Sequence, residues 1–213
     1  MNADDVARWL KTHPEFFEQY ADLLAQIYIP HPHGGRAIPI SDRQLITLRD
    51  KNRALEEKLA ELIHFGEEND AIGAKVHRLC AGLLPIVELD GALAAVYGSL
   101  REDFVIPHVA IRLWRGIGQR TEFTPVSAEL RDFAAKLEHA YCGPEQSFEA
   151  TRWFGVAAEH VRSVAFIPLR EGAATFGLLA LAAEDPHRFY PEMGTLYLQR
   201  VAELTSAALI RFV

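Results

Sequence analysis

Five residues in the second half of the chain have the right types to grip a flat anionic molecule. Arg112 and Trp114 are two positions apart, so an extended strand puts both on one face. Trp153, Phe154 and Phe166 add aromatic surface. Aromatic rings can stack on a planar ligand, and a guanidinium can clamp a carboxylate or phosphate. The same side chains can instead fill that space themselves, with Glu145, Glu149 or Glu159 as an internal partner for Arg112. Both outcomes stand open at the level of sequence.

Reactive chemistry is sparse. Cys80 falls on an apolar helical stripe and reads as a core residue. Cys142 precedes Gly143-Pro144, where a thiol could be exposed. Two cysteines this far apart give no disulfide framework, so a reducing compartment, the cytoplasm, is expected. His31 and His33 sit in a Pro/Gly stretch with no cysteine or carboxylate at ligand spacing, which fits exposed or capping roles and not a zinc site. Glu102-Asp103 and Glu184-Asp185 border turns and read as solvated loop ends. No Gly-rich phosphate loop, nucleophile elbow or HExxH occurs. The expectation is a protein that is not an enzyme and holds no metal or cofactor.

Charge and hydropathy narrow the partners. A net charge of −7 argues against nucleic acid, which needs a basic face. The acidic start, Met1-Asn2-Ala3-Asp4-Asp5, is not a signal peptide, and the apolar run Phe176 to Ala183 is too short to cross a bilayer.

The elements that must position these residues follow from periodicity. Val6, Trp9 and Leu10, then Phe16, Phe17, Tyr20, Leu23, Leu24 and Ile27, predict two short helices over 4–27. Pro30, Pro32, Gly34, Gly35 and Pro39 mark a connector without regular structure over 28–40. Ser41 or Asp42 then caps a long helix. Leu45, Leu48, Asn52, Leu55, Leu59 and Leu62 alternate spacings of three and four, a heptad seam with Asn52 at an a position. Lys51 and Glu56 take g and e positions, so opposite charges would face across a parallel homodimer. The alternative is a helix that packs on its own domain. Beyond Leu62 the seam fails at Gly66, Asn69 and Gly73. The division expected is an arm and connector over 1–40, a coiled-coil-forming helix over 41–69 and a folded domain over 70–213.

Within that domain Ile72, Val76, Leu79, Cys80 and Leu83 form a stripe ending at Pro85, and Leu89 to Leu100 the next helix. Val105 to Trp114 alternates like a strand. A short strand is expected near Thr121 to Thr124 and a Ser127-capped helix to about His139, broken by Cys142-Gly143-Pro144. Residues 145–160 carry a weak helical pattern that would roof the even face of the first strand. Arg162 to Arg170 and Ala174 to Ala183 flank Glu171-Gly172-Ala173 as a hairpin, apolar on both faces and therefore covered on both. Pro191 opens a final helix. The fold class is α+β: an antiparallel sheet with helices on both faces, preceded by a helical arm and a coiled-coil helix.

The run Ser163 to Leu169, then Phe176 to Leu181, then Asp185 to Thr195 resembles the end of a GAF domain, and more closely the bacterial domain-of-unknown-function family 484. Trp9-Leu10, His13-Pro14-Glu15-Phe16-Phe17, Pro30-His31, Gly35-Arg36-Ala37, Arg43-Gln44 and Leu48-Arg49 resemble that family's leading segment, and Cys142-Gly143-Pro144 its later pattern. The resemblance implies a GAF-like fold. GAF domains at large bind small molecules on one sheet face, and many only dimerise. Cys142 resembles neither a bilin-attachment site nor the cysteines of GAF-type methionine sulfoxide reductases, and the pattern of cyclic-nucleotide GAF domains is absent. Two functions are therefore expected to compete. One is a dimeric regulator that binds a small molecule and signals to a separate protein partner through its arm. The other is a constitutive interaction or scaffold module with a filled pocket.

Overall fold

The computed structural model describes residues 2–29, 38–145 and 148–213. The chain divides into two compact units, Met1–Gly66 and Glu67–Val213.

The first unit opens with α1 (Ala3–Thr12), held by a reciprocal cap. The Asp5 N–H donates to the Asn2 side chain at 2.8 Å, and the Asn2 N–H donates to the Asp5 carboxylate at 3.2 Å. Where one further helix was expected there are two, α2 (Glu15–Gln19) and α3 (Ala21–Gln26). Tyr20 leaves helical geometry between them, and its ring stacks on Phe16 at 4.9 Å. No residue of α1 or α2 is buried. The connector is not wholly irregular: β1 (Tyr28–Ile29) pairs antiparallel with β2 (Ile38–Pro39). A two-residue ladder tolerates Pro39 because little pairing depends on its missing N–H. His31, His33 and the Gly35-Arg36-Ala37 run lie outside the described residues.

Next comes α4 (Ile40–Leu83), a single helix of 44 residues that begins just before the expected Ser41 or Asp42 cap. It runs unbroken through Gly66, Asn69 and Gly73, where the heptad seam ends. Losing a seam removes packing but not helical hydrogen bonds, and glycine costs only about 1 kcal/mol. Proline would break the ladder, and none occurs between Pro39 and Pro85. Among the described residues no helix is long and apolar enough to cross a membrane.

In the second unit, α5 (Leu89–Gly98) runs into a π-type turn over Ser99–Asp103. Four strands follow: β3 (His108–Leu113), β4 (Tyr141–Pro144), β5 (Ser163–Glu171) and β6 (Ala174–Ala183). Between β3 and β4 lie a 3-10 turn at Thr121–Phe123 and α6 (Ala128–Lys136), where the Leu130 N–H donates to the Ser127 hydroxyl. An 11-residue 3-10 segment, Glu149–Glu159, precedes β5, and α7 (Leu196–Leu209) follows β6. Three expectations are corrected. Cys142-Gly143-Pro144 is not a break but most of β4, paired with Ser163–Ala165 of β5. The strand expected at Thr121–Thr124 is a 3-10 turn. The last helix starts at Leu196, because Tyr190–Gly194 turns back on itself with the Met193 N–H on the Tyr190 carbonyl at 3.1 Å.

The sheet order is β3-β6-β5-β4, antiparallel throughout, as expected for an α+β sandwich. Alternation sends Ile111, Leu113, Ile167, Leu169, Leu179 and Leu181 to one core, shared with Leu79 and Leu83 of α4, Leu93 and Val96 of α5, and Val201 and Leu209 of α7. The other face carries Ala110, Val164, Phe166, Leu178, Ala180 and Ala182 under Leu130 and Ala134 of α6.

The open edge of β3 and the end of β5 that β4 leaves uncovered are protected from within. The Trp114 N–H donates to the Phe176 carbonyl across the β3–β6 ladder, so Ile111 points its backbone groups outward. Those groups are taken by the Tyr97 hydroxyl, which accepts from the Ile111 N–H at 3.2 Å, and by Arg112 Nη1, which donates to the Ile111 carbonyl at 3.0 Å. On the other side β4 covers β5 only up to Phe166. Past that point Pro168 has no N–H to offer, and the Arg170 N–H donates to Ser206 Oγ at 3.0 Å.

Val105 enters β3 with φ 54°, the sole non-glycine residue with positive φ among those described, and its side chain is 70% exposed. A left-handed L-residue costs roughly 1–2 kcal/mol, against about 0.5–1 kcal/mol for glycine's extra chain entropy. Val105→Gly should therefore raise the urea midpoint of unfolding slightly; a lowered midpoint at unchanged slope contradicts strain at this position.

Candidate functional site

The structure brings the five nominated side chains to one side of the sheet. Arg112 is buried at 8% exposure, and its guanidinium lies 4.9 Å from the centre of the Trp153 ring. Trp114 donates from Nε1 to the Thr175 carbonyl at 2.9 Å. Phe154 lies 6.1 Å from the His108 ring. Phe166 is wholly buried, 5.1 Å from Phe148, 5.8 Å from Tyr141 and 6.2 Å from Phe133. The last three aromatics were not among the nominated residues. Phe133 stands on the apolar stripe of α6, whereas Tyr141 belongs to the strand that the sequence did not reveal.

Arg112 does not meet the expected glutamates. Glu149 instead holds the start of α6, accepting from the Ser127 N–H at 3.2 Å and from the Ser127 hydroxyl. The carboxylate that acts on Arg112 is Glu122, buried in the 3-10 turn that was read as loop and strand. Burial lowers the Arg112 pKa, and the Tyr97 and Glu122 groups oppose that shift. Tyr97 donates its hydroxyl to Glu122 Oε1 at 3.1 Å, and Arg120 Nε reaches Oε2 at 3.3 Å. Burial first, and then the Glu122 charge, hold the Tyr97 phenol well above its ordinary range. Arg120 also pairs with Asp90 at 2.6 Å. The Arg112 neighbourhood is thus a closed internal network around the open edge of β3.

Other candidates for chemistry are placed as follows. Cys142 is buried, and burial pushes its thiol up to about 11, so it stays protonated near neutral pH. Cys80 is half-buried near the end of α4. His108 Nε2 is buried without a hydrogen bond and lies 3.9 Å from Glu184 Oε1. Among the described residues no group of His, Cys, Asp and Glu side chains is arranged to hold a metal ion. The seam residues Leu45, Leu48, Leu55, Leu59 and Leu62 are 51–66% exposed, and Asn52 is exposed among them.

A long helix leading into an α+β domain whose sheet is packed on both faces defines the class of protein. The chain belongs to the family described as "Protein of unknown function, DUF484", whose model matches residues 1–213. It is similar to "Uncharacterized protein YigA" of Salmonella typhimurium, 25% identical over 219 residues, covering 98% of this chain and 91% of that protein. Among solved structures it is similar to the GAF domain of the potassium sensor histidine kinase KdpD from Escherichia coli. That match has 13% identity and a TM-score of 0.36, covering 65% of this chain and 93% of that one.

If Arg112 is a structural edge cap, Arg112→Met should keep the volume and lose the hydrogen bond and the ring contact. The expected loss is about 1–3 kcal/mol of unfolding free energy, measured by urea denaturation. Unchanged stability would contradict the edge-cap role.

Proposed function

We propose that this chain is a non-enzymatic, cytoplasmic interaction module that dimerises in parallel through α4 and engages a separate protein partner through its N-terminal arm. The observation that carries the reading is the row of exposed leucines on α4. Five leucines at heptad spacing stand more than half exposed, and Ile63 and Phe65 widen the stripe at its C-terminal end, 55% and 48% exposed. A contiguous apolar stripe of this kind on a water-facing helix calls for a partner surface. A second copy fits it best. Asn52 can pair with its own symmetry mate at an a position, and Lys51 would face Glu56 of the other chain. The arm is a second unfinished surface: α1 and α2 carry Trp9, Phe16 and Phe17 yet bury none of their residues. Such short helices do not hold together alone in water.

The sheet-face pocket is left out of this reading. Arg112 serves the β3 edge and Trp153, and Phe166 sits inside an aromatic cluster. These are the contacts of a filled core, which favours the interaction module over a regulator with its ligand on that face.

Light scattering on the full-length protein should give twice the chain mass. Leu55→Asp combined with Leu59→Asp should give the chain mass alone, and Asn52→Leu should tighten association or change its order. A double variant that remains dimeric moves the interface away from α4.

A further inference from the structure

We infer that a cavity at the base of α4 binds a small monocarboxylic acid with an apolar body. The cavity has a volume of about 440 Å³ and lies wholly within the second unit. Leu100, Ile106, Phe189 and Val201, each 1–3% exposed, form its floor. Ile72 and Met193 add apolar walls, and Lys75 and Arg188 also line it. That combination, an apolar floor with a few convergent polar groups in a space of this size, is the usual make-up of a small-molecule site.

The charge points to an anion. Both cations converge on Phe104, which also lines the cavity. Lys75 Nζ lies 5.8 Å from its ring centre, and Arg188 Nη2 donates to its carbonyl at 2.8 Å. Arg188 forms no ion pair among the described residues, and its guanidinium has further N–H groups to offer. Asp103 is paired with Arg78, whose Nη2 is 3.0 Å from that carboxylate, and the Lys75 charge acts on it only weakly. Of the charged residues that line the cavity, Lys75 and Arg188 stand against Glu68, which leaves a net charge of about +1, suited to a monoanion. This is a local excess of positive charge on a chain whose net charge is −7.

Strain marks the same place. Val105, with its positive φ, is flanked by Phe104 and Ile106, and both line the cavity. A β-branched residue held in that conformation is uncommon away from functional segments. The larger groove along β5 and α7, about 630 Å³, lacks this combination. It sets Glu138, Glu171 and Glu203 against Arg170, which already donates to the carbonyls of Ala135 and Leu137.

An acid bound here would touch α4 at Ile72 and Lys75, on the same helix that carries the leucine seam. The site itself needs only residues 67–213, so its test is independent of whether the chain dimerises. The probes are decanoate below its micellar range, decanol as the same tail without charge, and butyrate as the same charge without the tail. On the full-length protein decanoate should raise the melting temperature by a few degrees. By calorimetry decanol and butyrate should bind at least about tenfold more weakly. Lys75→Gln combined with Arg188→Gln, at positions clear of the buried core, should weaken decanoate by at least about tenfold, and Met193→Trp should block it by filling the cavity. The proposal is overturned if decanoate gives no shift, if decanol binds equally well, or if the double glutamine variant binds decanoate like the parent chain. Should Met193→Trp fail to fold, the double glutamine variant decides alone.

Discussion

The hairpin of β5 and β6 has no face it can show to water. Val164, Phe166, Leu178 and Ala180 point one way, and Ile167, Leu169, Leu179 and Leu181 the other, all essentially without exposure. Both sides must therefore be roofed, at roughly 25 cal/mol for each Å² of apolar surface removed from water. The end of α4, α5 and α7 close one side. On the other, α6 and the aromatic residues of β4 and the 3-10 segment do so. The small residues Ala110, Ala180 and Ala182 on that second face leave room for the rings of Phe133, Tyr141, Phe148 and Trp153 to come close.

Much of the rest follows from this double cover. Groups that belong to the roofs also take up exposed strand backbone: Tyr97 of α5 on the edge strand β3, and Ser206 of α7 on the part of β5 that β4 leaves uncovered. Arg112 is drawn into the same task, which explains how a buried guanidinium is tolerated on an apolar sheet face. Its head donates to the edge carbonyl of Ile111 and lies 4.9 Å from the centre of the Trp153 ring, and the Glu122 charge favours its ionised form. Both faces of the sheet are thus used internally, and among the described residues the seam of α4 and Trp9 and Tyr20 of the arm stand exposed.

Strongly periodic segments were legible in the sequence. The heptads of α4, the Ser127 cap of α6 and the Glu171-Gly172-Ala173 turn each combine a local signal with a repeat, and local signals survive tertiary packing. Gly172 takes the positive φ its turn requires. What was missed depends on long-range pairing. Tyr141–Pro144 is only four residues long and contains Gly-Pro, and nothing but its register with β5 makes it a strand. Glu122 could not be assigned to Arg112, because its turn shows no pattern of its own. Strand parity puts Arg112 and Trp114 on one face, and the structure sets Trp153, Phe154 and Phe166 on that same side of the sheet. Whether that face stays open is a question of volume, and volume is set by Phe133, Tyr141 and Phe148 together. The cavity beside Lys75 and Arg188 draws on α4, the π-type turn and the segment before α7, a combination that no local motif announces.

The central claim is that the leucine seam of α4 meets its own copy in parallel and in register. Spin labels placed singly at Glu57→Cys and at His64→Cys, in a full-length chain carrying Cys80→Ser and Cys142→Ser, test it most directly. Both positions lie on the outer face of the heptad, opposite the seam. In a parallel, in-register pair every residue stands level with its own copy, so pulsed dipolar spectroscopy should give closely similar interspin distances at the two sites. Distances that differ by the axial stagger of an antiparallel pair, or no dipolar coupling at either site, would contradict the account.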